Sequence, residues 1–195
     1  MIIGITGGTG CGKTTALQAI ASLGGTVIDC DAVYHRLLQT DTLLLQQIDS
    51  RFPCTVINGV LDRKALASIV FSNEQALRDL NAITHSAVKQ EVLSLLGSNP
   101  TLAAIDAIEL FDGGLGQLCD VTVAITAPQE QRILRLLERD GITREQALAR
   151  INAQKPEAYF RNACDYVLEN NGTATDFQEK CLAFFKNLTI IKENP

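Results

Sequence analysis

The feature that most constrains the fold is a glycine-rich segment near the start of the chain, with the letters GGTGCGKT at residues 7–14. It follows the apolar run 2–6 and precedes a helical pattern with apolar residues at Leu17, Ile20 and Leu23. The predicted order is therefore strand, glycine loop and helix. Because this spacing and context match the G-x-x-x-x-G-K-[ST] pattern, the sequence predicts a loop whose backbone N–H groups surround a phosphate.

The loop residues divide into backbone and side-chain contacts. Glycines allow the positive φ angles that turn N–H groups inward, Lys13 is expected to reach the β and γ phosphates, and the Thr14 hydroxyl is expected to bind Mg²⁺. A dinucleotide-binding loop is excluded because its third glycine would have to replace Lys13. A turn built only for packing would not need the Lys-Thr pair. The predicted nucleotide contacts are Gly8, Thr9, Gly10, Cys11, Gly12, Lys13, Thr14 and Thr15.

Composition limits the choice of partners. The net charge is −5 and the pI is about 5.0, so nucleic acids and membrane surfaces, which present phosphate, are not expected partners. The six cysteines form no CxxC pair and no metal-ligand spacing, which indicates reduced thiols. With no secretion signal or long apolar run, we expect a cytoplasmic protein. We also expect a monomer.

The pattern along the chain alternates strands with helices, which predicts an α/β fold with about five parallel strands covered on both faces. A long helical stretch, Ala32–Leu96, interrupts the alternation and is itself broken near Phe52–Leu61, where Pro53 and an Asn58-Gly59 turn occur. The predicted strands are Ile2–Thr6, Thr26–Cys30, Leu102–Ile105, Val121–Ile125 and Tyr166–Glu169. Later helices are predicted at Glu130–Arg139, at Thr143–Gln154 and from Thr175 onward.

Three aspartates stand at strand ends, where open parallel sheets bind ligands. Asp31 is the expected base that accepts a hydroxyl proton, and Asp29 or Asp106 is the expected support for a metal through water. Because aspartate commonly begins a helix, one of Asp29 and Asp31 could instead serve only as a cap. Glu109 and Asp112, which follow Asp106 in the sequence, could equally be solvated acids of a loop without a role in the site.

Five arginines occur within nineteen residues of an otherwise acidic chain, at positions 132, 135, 139, 144 and 150. Such a segment suits a lid that excludes water and neutralises phosphate charge. Arg135 and Arg139 lie four residues apart and share a helix face. The alternative is a solvated face on which Glu138, Asp140 and Glu145 pair with the arginines.

Taken together and in this order, the segments resemble the dephospho-coenzyme A kinase family over nearly the whole chain. The matching segments are ITGGTGCGKT, VIDCDAVYH, NGVLDRKALASIVF, LNAITHSAV, IDAIELFDGGLGQLCD, RLLERDGITREQALARINAQ and CDYVLENNG. The resemblance implies a P-loop kinase fold with a helical substrate-binding insertion and a helical lid. It implies a nucleotide-binding core at 1–31, 102–135 and 162–195, an acceptor region at 32–101 and a lid at 136–161.

The resemblance also implies roles for single residues. Asp31, Lys13 and Arg139 are expected to be catalytic, and Arg135, Asn170 and Gly172 to contribute to ATP binding. The residues expected to bind the acceptor substrate are Asp31, His35, Arg63, His85 and Asp106. The sequence departs from the family pattern at Ser86, Ile108 and Glu109, and at Phe160, where a basic residue is usual and Arg161 lies beside it.

The implied reaction is transfer of the ATP γ-phosphoryl group to the 3′-hydroxyl of dephospho-coenzyme A, the last step of coenzyme A synthesis, with Mg²⁺ as cofactor. Two other hypotheses remain open at this point. One is a kinase of the same architecture that acts on another small alcohol or a nucleoside monophosphate. The other is a nucleotide-binding regulator without catalysis.

Overall fold

A computed structural model describes residues 1–98 and 100–193, the side chains of 191–193 excepted, and its centre is a five-stranded parallel sheet. The strands are β1 (Ile2–Thr6), β2 (Thr26–Asp29), the short antiparallel pair β3 (Val56–Ile57) and β4 (Val60–Leu61), β5 (Ala103–Asp106), β6 (Val121–Thr126) and β7 (Tyr166–Glu169). Across the sheet the order is β2-β5-β1-β6-β7. The predicted fold class and the five strands are confirmed.

This strand order brings the site together. β5 lies between β2 and β1, so the ends of these three strands meet at one edge. Asp29 pairs in register with Asp106, and Ile5 pairs with Asp106 on the other side. The loop that follows β1 therefore begins beside the strand ends that carry the acids.

The helices within the described residues cover both faces of the sheet. They are α1 (Lys13–Ser22), α2 (Cys30–Thr40), α3 (Thr42–Arg51), α4 (Arg63–Val70), α5 (Glu74–Leu96), α6 (Gln129–Asp140), α7 (Arg144–Asn152), α8 (Glu157–Ala163) and α9 (Ala174–Glu193), with a 3₁₀ turn at Gly116–Leu118. None of the helices in this part of the chain is long and apolar enough to cross a membrane.

The core has three parts. On one face of the sheet, Ile28 and Ile105 pack among the apolar side chains of α2–α5. On the other face, Ile3 and Ile5 pack against α1 and α9. A small separate cluster joins α6 to α7 through Ile133, Leu136, Ala147 and Ile151, so these two helices are held as one unit with its own apolar contacts.

The stretch 32–96 is divided by side-chain caps into four helices. Asp41, Asp62 and Asn73 each accept hydrogen bonds from the first N–H groups of the following helix, which is the preferred role of these residue types. The hairpin between α3 and α4 turns at Asn58 and Gly59, whose φ angles are 52° and 76°. The interruption predicted from the Asn-Gly pair is therefore a two-residue hairpin turn.

Several predicted boundaries are wrong by one to a few residues. The second strand ends at Asp29 rather than Cys30, because the Asp29 carboxylate caps α2 and starts that helix early. Helix α7 ends at Asn152 instead of Gln154, and α8 was not predicted. The predicted division into core, insertion and lid stays a prediction, and its residues 99 and 194–195 lie outside the described ranges.

Candidate active site

Residues 7–14 form the loop that joins β1 to α1. Gly12 begins the helix with φ 103° and ψ 25°, a left-handed conformation that favours glycine. The Lys13 ammonium folds back over the loop and donates to the Gly7 carbonyl at 3.2 Å. No hydrogen bond between described residues uses the N–H groups of Gly10, Gly12 and Thr14, so these donors are available to an anion at the helix N-terminus.

Two arginines hold the loop through its carbonyl groups. The Arg132 Nε donates to the Thr9 carbonyl at 2.8 Å, and Arg135 donates to the carbonyls of Gly10 and Cys11 at 3.2 and 3.3 Å. Burial lowers the pKa of the Arg132 guanidinium from its ordinary value. These bonds fix the carbonyls of Thr9, Gly10 and Cys11.

Asn170 lies beneath the same loop and is only 4% exposed. Its amide nitrogen donates to the Cys11 carbonyl at 2.9 Å, and its amide oxygen accepts from Arg135 at 3.0 Å. A Cβ on Gly12 would lie 2.3 Å from the Asn170 nitrogen, so only glycine fits between the amide and the helix. The structure thus places Asn170 as a support of the loop.

The three predicted acids differ in their surroundings. Asp29 caps α2 by accepting from the Ala32 N–H at 3.0 Å, so the capping alternative applies to Asp29, while Asp31 lies in the first turn of that helix. Burial raises the pKa of Asp106 to about 6, against the opposing effect of the Lys13 ammonium. The buried Oδ1 of Asp106 has no hydrogen-bond partner among the described residues.

Two cavities meet at Asp31. The phosphate cavity, of about 550 Å³, is lined by the loop and by Asp29, Asp106 and Arg139. The second cavity, of about 650 Å³, lies between α2, α5 and the segment after β5. Asp31 and Ile108 line both cavities, so the Asp31 carboxylate stands where a group bound in one would face a group bound in the other.

The second cavity combines an apolar wall with a few polar groups. Leu80, Val88 and Leu115 line it together with Tyr34 and His85. The His85 Nε2 lies 3.0 Å from Glu109, and this hydrogen bond holds the pKa of the Glu109 carboxyl below its ordinary value, although burial acts in the other direction. This volume and lining are typical of a small-molecule site.

The arginines of the predicted lid have separate partners. Arg139 makes two hydrogen bonds to Asp140, at 2.7 and 3.0 Å, while its side chain is 62% exposed. Arg150 also pairs with Asp140, and Arg144 pairs with Glu130. Arg139 and Arg150 therefore pair with Asp140, a partner that the alternative named, while the partner of Arg144 is Glu130, which it did not name. Arg132 and Arg135 instead bind the phosphate loop.

Other predicted residues lie around this centre. His35 is exposed on α2 with its ring 5.7 Å from the ring of Tyr34. Arg63 is the exposed first residue of α4. Burial raises the pKa of the Tyr34 hydroxyl, and the positive charge of Arg63 lowers it by a smaller amount. Thr15 lies in the first turn of α1, and Gly172 is exposed before α9. These positions leave their predicted roles as predictions.

The departures from the family pattern have clear surroundings. Phe160 is 2% exposed and therefore a core residue. Arg161 is engaged by Glu157, Glu169 and Thr126 at 2.6, 2.7 and 3.2 Å, so its guanidinium is bound in local contacts away from the cavity lining. Ser86 lies inside the continuous helix α5.

Sequence reasoning did not single out the segment that follows α7. The Gln154 side chain accepts the Thr9 N–H at 2.8 Å, and Lys155 lies 3.5 Å from Asp112. The Tyr159 hydroxyl donates to the same Asp112 at 3.2 Å. No local pattern marks these residues, because their partners are 145 and about 45 positions away in sequence.

Comparison with known proteins agrees with this geometry. The family model for dephospho-CoA kinase matches residues 1–176. The chain belongs to the dephospho-CoA kinase family. A dephospho-CoA kinase from Thermus thermophilus is 36% identical over 190 residues, covering 97% of this chain and 92% of the relative. One from Geobacillus kaustophilus is 35% identical over 199 residues, covering 99% of each.

Solved structures give the same result. A Thermus thermophilus crystal structure matches with a TM-score of 0.79 at 35% identity, covering 96% of this chain and 97% of that one. A dephospho-CoA kinase from Campylobacter jejuni gives 0.69 at 26% identity, covering 98% of each chain. A shikimate kinase from Acinetobacter baumannii, at 20% identity and 0.52, shares the fold. The predicted family, P-loop kinase fold and ATP-dependent enzyme class are confirmed.

The side chains beside the phosphate loop suit a magnesium ion that is bound together with ATP. No cluster of three or more His, Cys, Asp or Glu side chains suited to a metal occurs in residues 1–98 and 100–193. Mg²⁺ in kinases needs no such cluster, because it retains water and binds phosphate oxygens. The exposed Thr14 and the Asp106 carboxylate, one oxygen of which has no hydrogen-bond partner among residues 1–98 and 100–193, supply oxygen ligands beside the phosphate loop.

Proposed function

We propose that this chain transfers the γ-phosphoryl group of ATP to the 3′-hydroxyl of the ribose in dephospho-coenzyme A, giving coenzyme A and ADP. The observation that carries the proposal is the position of Asp31 at the junction of the two cavities. One cavity contains the loop that suits a triphosphate, and the other has the volume and mixed lining that suit a nucleotide-like acceptor.

In this proposal the Asp31 carboxylate accepts the proton of the acceptor hydroxyl. The hydroxyl oxygen then forms a bond to the γ phosphorus while the bond between that phosphorus and the β–γ bridging oxygen breaks, and ADP leaves with the bridging oxygen. The Lys13 ammonium and the loop N–H groups stabilise the charge that develops on the phosphate oxygens. Holding both substrates across Asp31 supplies much of the rate enhancement.

Mg²⁺ is part of the proposal as a companion of ATP. Thr14 would hold it through its hydroxyl, with Asp29 or Asp106 acting through water. When bound it neutralises phosphate charge. The buried Asp106 oxygen, which has no hydrogen-bond partner in the described part of the chain, supports this assignment, since buried polar atoms are rarely left unsatisfied.

The acceptor residues follow from the walls of the second cavity. We assign His85 and Asp31 to the acceptor directly, and His35 and Arg63 to the outer part of the coenzyme, since both lie near Tyr34 on that side. The lid arginines close over the phosphates, and for Arg139 this requires exchange of its Asp140 partner for phosphate. We propose a monomeric enzyme.

The test is ADP release from MgATP with dephospho-coenzyme A, beside a panel of nucleoside monophosphates and sugars. Among these acceptors we expect only dephospho-coenzyme A to support rapid turnover, and phosphorus NMR of the product should show a new 3′-phosphomonoester. Faster turnover of another alcohol would assign the enzyme to that acceptor. Nucleotide binding without turnover of any acceptor would indicate a regulator and refute the proposal.

A further inference from the structure

The chain that leaves α7 runs between the two cavities. Residues 153–156, here called the strap, line the second cavity. At the same time, the side chain of Gln154 in the strap accepts the N–H of Thr9, which lines the phosphate cavity, at 2.8 Å. One side chain therefore joins the wall of the acceptor cavity to the backbone of the phosphate loop.

The Thr9 residue is held on both sides by elements distant in sequence. Its N–H donates to Gln154, and its carbonyl accepts from Arg132 at 2.8 Å. Gln154 follows α7, and Arg132 belongs to α6. Since α6 and α7 share their own apolar cluster, a movement of this helix pair would move Gln154 and Arg132, the two hydrogen-bond partners of Thr9, together.

A second set of contacts ties the strap to the acceptor side. Lys155 lies 3.5 Å from Asp112 and 5.0 Å from the centre of the Tyr159 ring. Tyr159 also donates to Asp112 at 3.2 Å, and Asp112 itself lines the second cavity. The position of the strap therefore depends on the segment that an acceptor would contact.

We propose that Gln154 is a positioning residue that holds the outer turn of the phosphate loop in its binding conformation and makes that conformation depend on occupancy of the second cavity. The hydrogen bond supports the loop rather than blocking it. The N–H groups of Gly10, Gly12 and Thr14 stay available for phosphate, so Thr9 can be held by Gln154 while nucleotide is bound. Gln154 is thus a polar link between the two cavities.

The experiment measures ADP binding by calorimetry, alone and in the presence of saturating dephospho-coenzyme A, so that no turnover occurs. Gln154→Met keeps the length of the side chain but cannot accept the Thr9 N–H. We expect it to weaken ADP binding roughly threefold to tenfold, the effect of losing one net hydrogen bond. Asn152→Ala, an exposed change at the end of α7, is the matched control and should leave ADP binding unchanged.

The second readout is the ratio of ADP affinities with and without dephospho-coenzyme A. In wild type we expect dephospho-coenzyme A to strengthen ADP binding, so that this ratio is above one. The ratio should fall to about one in Gln154→Met. It should return toward the wild-type ratio in Gln154→Glu, whose carboxylate oxygen can still accept the Thr9 N–H. A change confined to dephospho-coenzyme A affinity would show direct acceptor contact and overturn the proposal. Unchanged or tighter ADP binding by Gln154→Met, or a wild-type ratio of one, would do the same.

The inference rests on the proposed function only where dephospho-coenzyme A is taken as the occupant of the second cavity. Binding of ADP alone does not depend on the acceptor, so the first readout tests Gln154 by itself. If the proposed acceptor is wrong, wild type will not turn it over. If only the Gln154 inference is wrong, wild type and Gln154→Met will both turn it over and bind ADP equally.

Discussion

Replacing Asn170 by leucine, which has the same number and branching of side-chain heavy atoms but no polar group, should damage the phosphate loop. The change removes a hydrogen bond to the Cys11 carbonyl and another from Arg135, both beneath the loop. Each is worth about 1 kcal/mol net. The Cys11 carbonyl keeps Arg135 as a donor at 3.3 Å, so the larger penalty for an unsatisfied buried group does not apply. We expect a loss of about 2 kcal/mol in the free energy of unfolding, which for a chain of this size lowers Tm by about 4–8 °C.

Thermal and urea unfolding, each with and without ATP, measure the effect. Asn171→Leu is the matched control, because Asn171 is exposed and the change removes a long side-chain hydrogen bond of 3.3 Å to Glu169, while the bond from Gln131 to the Asn171 backbone carbonyl is kept. That control should stay within about 0.5 kcal/mol of wild type. We also expect Asn170→Leu to lose most of the ATP-induced rise in Tm. If Asn170→Leu unfolds like Asn171→Leu and still gains full stability from ATP, Asn170 does not support the loop.

Three further changes test other parts of the site. Gly12→Ala must adopt φ 103° with its Cβ 2.3 Å from Asn170, so calorimetry should show ATP binding weakened at least about tenfold. Arg139→Ala removes an exposed ion pair, so Tm should change little while kcat falls about a hundredfold. Asp165 accepts two hydrogen bonds from Thr122, which lower the pKa of its carboxyl below the ordinary 3.8. The ionised Asp165 carboxylate therefore stabilises the fold above pH 3.8, and this stabilisation is lost as the pH falls through the lower folded pKa. The free energy of unfolding of Asp165→Asn, measured with urea, should therefore decrease less at acid pH than that of wild type.

Each of these has a result that contradicts it. Wild-type ATP affinity in Gly12→Ala would show that the loop relaxes without cost. A large drop in Tm with normal kcat in Arg139→Ala would make that residue structural. Parallel stability curves for wild type and Asp165→Asn across the acid range would remove Asp165 from the pH dependence.

The sequence predicted best where a local pattern fixes the backbone. The phosphate loop and the start of α1 at Lys13 follow from glycine spacing and one lysine-threonine pair, and the hairpin follows from Asn58-Gly59. The strand Tyr166–Glu169 was also located to the residue. In each case neighbours in sequence carry the information, so no tertiary contact was needed.

The sequence failed where the information lies in distant contacts. Helix α8 has seven residues, which is too short for apolar periodicity to be seen. The predicted end of α7, at Gln154, is two residues too late. Gln154 lies outside the helix and contacts Thr9, 145 positions away, and the local sequence pattern does not show this contact. The pairing of His85 with Glu109 joins residues 24 apart, and the junction of two cavities at Asp31 is a property of the assembled strands.

The role of Asp31 is best tested by comparing Asp31→Asn with wild type in two assays, ADP release with dephospho-coenzyme A and calorimetric binding of ADP. Asparagine keeps the size of the side chain but does not accept the hydroxyl proton. We expect kcat to be about 10²- to 10⁴-fold lower in Asp31→Asn and the ADP affinity to be preserved. A turnover rate within about threefold of wild type, with binding intact, would contradict the role of Asp31 as the base between the two cavities.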